Sequence, residues 1–163
     1  MNIIAAKLSK IDKYDRFRCI RRDGTETSTV MPRQGILPHD LIHYVVESEL
    51  HYKNSFLGMI AKGLDIGFTM GLVHDPKNLA LEDQAAHAEA IVERLQAQIW
   101  NGSFDGEMFH FGLEGACSSR GRPVPDLSGI DVEVRLYGGV MALSRKWLQV
   151  SYHGSLELEM PHL

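Results

Sequence analysis

Two cysteines, six prolines and no apolar run approaching the roughly 18 residues of a membrane helix set the first limits on this 163-residue chain. Cys19 and Cys117 stand alone, without a CxxC pair, which suits two reduced thiols better than a disulfide framework. Basic charge is also short. Seventeen Lys and Arg against twenty-one Asp and Glu leave a net charge of −4, and the basic residues are scattered, so no nucleic-acid partner is expected. The start of the chain lacks a basic stretch followed by a sustained apolar one, so the expectation is a cytoplasmic protein with no membrane partner. No GK[ST] follows a glycine-rich loop, and neither GxGxxG nor GxSxG occurs. Phosphate-cradling folds and the nucleophile elbow therefore have no support.

What the chain does have is an average globular composition, 44% apolar and 23% charged, which suits one α+β domain over residues 1–163. Residues 3–8, 14–21 and 26–30 read as a strand meander. Asp23-Gly24 supplies the positive-φ tolerance of a tight hairpin between the second and third strands, and Pro32, which has no N–H to donate, is expected to end the run. Leu156-Glu157-Leu158-Glu159-Met160 alternates cleanly, so a last strand is expected to join this sheet. The fold class is then α+β: a small antiparallel sheet, N-terminal meander plus C-terminal strand, packed against helices.

Helical spacing of Leu41, Ile42, Val45, Val46 and Leu50 behind Pro38 predicts a helix through about residue 51. Residues 56–70 are apolar and punctuated by Gly63, Gly67 and Gly71, which admits a helix broken near Gly63 or a loop. Residues 81–100 read as a long amphipathic helix with Gln84, Ala88, Ile91, Leu95 and Ile99 on one face and Glu82, Glu89 and Glu93 outward or partly so. A shorter helix over 105–117 is weakened by three glycines, and Asn101-Gly102-Ser103 suits a helix-ending turn better than a glycosylation sequon. Arg120 and Arg122 beside Gly121 offer an anion two cations, but nothing in their spacing demands a ligand and a solvated loop is the better reading. Residues 130–147 fit two periods. Ile130, Val132, Val134 and Leu136 alternate like a strand, Gly138-Gly139 favours a hairpin, and Val134, Tyr137, Met141 and Leu148 fit a helix.

One constellation carries chemistry. His39-Asp40-Leu41-Ile42-His43 sets two imidazoles four residues apart, and Glu47 follows four later on the same side of the helix. A divalent metal such as zinc takes imidazole nitrogens and a carboxylate oxygen, so the expected ligands are His39, His43 and Glu47. One straight helix separates residues i and i+8 by about 12 Å, which makes the His pair the firmer part. The third ligand then comes from Glu47 or from His74, His87, Glu89 or His110 on another element. Where HExxH metalloproteases place a glutamate base this chain has Asp40, one methylene shorter, which argues against protease activity.

The run Leu37-Pro38-His39-Asp40-Leu41-Ile42-His43-Tyr44-Val45-Val46-Glu47, with the meander before it and a Leu-Glu-Leu-Glu-Met-Pro end, resembles a group of bacterial proteins of uncharacterised function over most of the chain. That resemblance implies a largely helical 130–147 and brings no known activity with it. His39-Asp40-x-x-His43 is also similar, over those five residues, to the metal motif of the ubiquinone-biosynthesis scaffold family, whose distal acidic ligand would fall near Ser55. Two readings follow. In one, a metal-binding protein, and by extension a metal-dependent hydrolase, uses His39 and His43 with Glu47 as ligand or support and Asp40 orienting an imidazole. In the other, a non-catalytic binding or structural domain uses the same face for ordinary hydrogen bonds or a homo-oligomer contact.

Overall fold

The computed structural model describes residues 1–75 and 82–163 and orders the chain as three strands, a series of helices and a final strand. Strands β1 (Asn2–Ala6), β2 (Tyr14–Ile20), β3 (Glu26–Pro32) and β4 (Ser155–Glu159) form one antiparallel sheet in the order β3-β2-β1-β4. Period-two alternation buries Ile3, Ala5, Phe17, Cys19 and Met31 on one face. The register sets Leu158 beside Ile3 and Leu156 beside Ala5, so β4 adds its leucines to that face. The architecture is the expected α+β one.

Gly24 alone takes the positive φ of the β2–β3 hairpin, at +84°, while Asp23 accepts from the Thr25 N–H at 2.9 Å. The sheet run ends at Pro32, as expected, two residues beyond the Val30 at which the sequence pattern stops. Pro32 pairs with Tyr14 at the end of β3, an edge strand, where a residue without an N–H leaves no ladder bond unmade.

Helix α1 (His39–Glu49) starts immediately after Pro38, whose carbonyl accepts from Leu41 and Ile42. Leu41, Ile42 and Val46 are fully buried, each a burial worth about 1.5–3 kcal/mol. Residues 56–70 form two helices, α2 (Phe56–Ala61) and α3 (Ile66–Val73), separated where Gly63 takes a φ of +112°. The long helix α4 (Asp83–Asn101) ends at Gly102 in the left-handed conformation; Leu81, where the sequence pattern begins, lies outside the described residues. Helix α5 spans Gly106–Ser119.

Residues 130–147 contain no strand. A π-helical segment, Val132–Tyr137, runs into α6 (Gly138–Gln149). Val132, Leu136, Val140, Leu143 and Trp147 are buried while Val134 is exposed, a helical and not an alternating pattern. The glycine pair has a packing role instead of a turn role. A Cβ on Gly139 would stand 2.9 Å from Val45 Cγ1, so its absence lets α6 lie close against α1.

Both cysteines are buried and free, and burial raises the Cys19 thiol to about 12. Among the described residues no helix is long and apolar enough to cross a membrane.

Candidate metal centre

Three elements converge at the start of α1. His39 is the first residue of α1, and His43 and Glu47 follow at one-turn intervals along it. Helix α4, which packs on α1, contributes Glu89, set between the buried residues Ala85 and Val92. Helix α3 contributes His74 from its C-terminal end. Its direction is fixed at the other end by Asp65, which caps the Gly67 and Phe68 N–H groups and accepts from Thr27 Oγ1 of β3 at 2.7 Å.

Glu89 is the hub of the cluster. Its Oε2 lies 3.9 Å from His39 Nε2 and 3.6 Å from His74 Nε2, and its Oε1 lies 3.0 Å from His43 Nε2. His39, His74 and Glu89 each offer one ligand atom, and these three atoms all lie within 4.8 Å of one another. Ligand atoms at a metal–ligand distance of about 2.1 Å in a tetrahedron stand about 3.4 Å apart, so the set closes by up to about 1.4 Å on coordination. Exposure rises across it: the side chain of Glu89 is 3% exposed, His39 22% and His74 47%.

Behind this set lies a closed polar network. His43 Nδ1 is 2.9 Å from Glu47 Oε1, and Glu47 Oε2 accepts from Ser55 Oγ and from the Leu57 N–H at 2.9 Å. Glu47 and His43 are buried, so these bonds offset the desolvation of a charge that water does not reach. On its other side His43 Nε2 approaches Glu89 Oε1, but the contact is too bent to be a hydrogen bond. Both atoms are buried without an aligned partner.

The ionisation states follow from this layout. Burial, then the charge of His43, pushes His39 down to about 3, which keeps its ring neutral and its lone pair free at neutral pH. Burial also pulls on His43, but the Glu89 charge, the hydrogen bond to Glu47 and the Glu47 charge outweigh it and raise His43 to about 10. For Glu89 burial acts upward and is overcome by His43 first, then His39 and His74, which hold it down to about 2.

The three sequence candidates therefore separate. His39 stands in the converging set; His43 stands behind Glu89; Glu47 is two turns from His39 and faces Ser55 and Leu57 instead of that set. The imidazole-orienting carboxylate is Glu47. Asp40 forms no hydrogen bond with an imidazole among the described residues, and burial raises its carboxyl. Glu89, read from the sequence as outward or partly so, is buried: it sits at the rim of the α4 stripe, and α1 and α3 close over it. The remaining histidines lie elsewhere. His87 Nε2 is 2.7 Å from the Pro123 carbonyl, and His110 rests against the Phe109 ring. Arg120 and Arg122 pair with Glu93 and Asp83, at 2.7 and 2.9 Å, which accounts for them without a bound anion.

No protein-family model, curated protein or solved structure gives a match to the chain.

Proposed function

We propose that the protein binds one divalent transition metal through His39 Nε2, His74 Nε2 and Glu89 Oε2. The observation that carries this reading is the convergence of one ligand atom from each of these residues, all within 4.8 Å of one another, from α1, α4 and the C-terminal cap of α3. Two imidazoles and a carboxylate suit zinc or a neighbouring first-row ion, and not calcium or magnesium, which prefer oxygen shells. The half-exposed His74 marks the side from which solvent reaches the set. An ion held by three protein ligands and open on that side would supply Lewis-acid chemistry and activate a water near neutral pH, the chemistry of a metal-dependent hydrolase.

One observation favours the alternative, a non-catalytic domain. His43 already lies between two buried carboxylates, a network that needs no ion to hold α1 against α4. Elemental analysis of the purified full chain, with hydrolysis of activated esters and phosphodiesters measured before and after chelation, separates the two. About one transition-metal ion per chain, with hydrolysis lost on chelation and restored by zinc, is expected. Metal-free protein that takes up none on incubation with zinc contradicts the metal reading, and stoichiometric metal without any hydrolysis contradicts the hydrolase part of it.

A further inference from the structure

We infer that His43 Nε2 is a fourth protein ligand of this centre, aimed by Glu47, so that three imidazoles and one carboxylate surround a single ion. The inference rests on the metal reading above and raises its ligand count from three to four, so that a solvent position on the His74 side is a fifth one.

The first support is the orientation of the ring. Glu47 Oε1 stands 2.9 Å from His43 Nδ1, and a carboxylate there fixes a proton on Nδ1 and leaves Nε2 as the donor to a metal. Glu47 is itself fixed by Ser55 Oγ and the Leu57 N–H, so the ring is held by a chain of bonds and not by packing alone. Nε2 then faces the carboxylate that the other two imidazoles also face.

The second support is independent of the first. His43 Nε2 and Glu89 Oε1 are both buried, lie 3.0 Å apart, and form no aligned hydrogen bond. Buried polar atoms are nearly always hydrogen-bonded, so a close buried pair held by charge without alignment calls for an explanation. Neighbouring ligands at about 2.1 Å from one ion stand about 3.0–3.4 Å apart without pointing at each other, which is the relation these two atoms show. The rings agree: the His39 centroid is 4.8 Å from that of His43 and 5.6 Å from that of His74, tilted by 62° and 79°, so the rings meet edge to face and not in a stack.

Charge points the same way. Glu47 and Glu89 bring two negative charges into a buried site, and a divalent ion beside a neutral His43 balances both. Oxygen-seeking ions are disfavoured further by a third imidazole, which narrows the ion to zinc, iron, cobalt or nickel.

The test uses the full-length wild-type chain labelled with nitrogen-15. Two-bond proton–nitrogen spectra of the histidine side chains, recorded during titration with zinc chloride, report each ring nitrogen separately. Three Nε2 signals, those of His39, His43 and His74, are expected to move to metal-bound positions together at one equivalent. Assignment comes from through-bond correlations, with His43→Gln as a check where that variant folds. Movement of His39 and His74 alone, with His43 keeping protons on both nitrogens, overturns the fourth ligand and leaves the metal site standing. No movement of any histidine signal overturns both.

Discussion

The two ends of the buried polar cluster are built on opposite principles, although His39 and Glu47 lie on one helix only eight residues apart. At the inner end, Glu47 and His43 are 0% and 1% exposed, and Glu47 has hydrogen bonds to Ser55, Leu57 and His43. At the outer end, His39 and His74 are partly exposed and stand 3.6–3.9 Å from Glu89, close enough to share an ion and too far for direct hydrogen bonds. Tight satisfaction at one end and open convergence at the other assign Glu47 to holding and His39 and His74 to binding, and His43 joins the two, Nδ1 on Glu47 and Nε2 toward Glu89. Glu89 belongs to both, one oxygen turned each way.

The comparison breaks most visibly when the inner end is damaged. Glu47→Leu strands the His43 charge and leaves Ser55 and Leu57 without their acceptor. A loss of about 3–5 kcal/mol is expected from urea denaturation, the range found when one member of a buried pair is removed. A loss under about 1 kcal/mol would show that the network does not hold the fold.

Acidity sharpens it next, because the two ends titrate with opposite sign in chelator-treated protein. His39 is depressed to about 3, so between pH 6.5 and 3 the unfolded chain binds a proton that the folded chain refuses, and stability falls as pH falls. His43 is raised to about 10, so its contribution is complete below pH 6.5 and is lost as pH rises toward 10. Glu89 is depressed to about 2, so its contribution is present above pH 4.5 and is lost below it. The urea midpoint is expected to peak near pH 6.5, and His39→Ala is expected to remove the slope between pH 6.5 and 4.5. A midpoint still rising at pH 9 would contradict the placement of His43.

A smaller effect on stability comes with a larger one on binding. His74→Ala, at a half-exposed position, is expected to move stability by no more than about 0.5 kcal/mol. Zinc affinity is expected to fall by more than the roughly 10–100-fold that loss of a supporting residue costs. Calorimetry reads both. His110→Ala, on α5 and outside the cluster, is expected to change neither quantity, and a weakened zinc titration there would undo the assignment.

How much of this the sequence reveals depends on range. The meander, α1 and β4 are legible because their periods are local: alternation in Ile3, Ala5, Phe17 and Cys19, and helical spacing from Leu41 to Val46. The 130–147 segment is ambiguous because Val132 and Leu136 satisfy both periods, and only the contact of Gly139 with Val45 shows why a glycine pair lies within a helix. In the cluster, the His39–His43 spacing is visible on one helix. What is not visible is which distant residues meet it. His74, His87, Glu89 and His110 are equal in the sequence, and the choice is made by α3 and α4 packing around α1. Glu89 had one local trace, its place between Ala85 and Val92 at the rim of the α4 stripe, where a solvated glutamate has no need of apolar neighbours. Glu47 shares a face with His39 but lies about 12 Å along the axis, so its position on the helix gives it a supporting role.

The most direct trial is calorimetric titration of chelator-stripped full-length protein with cobalt(II), beside the His39→Ala, His74→Ala double variant, with circular dichroism to confirm that both are folded. One equivalent bound by the wild type and none by an equally folded variant is the predicted result. A wild type that binds no cobalt, or a variant that binds it as tightly, would contradict the assignment of His39, His74 and Glu89 to a metal.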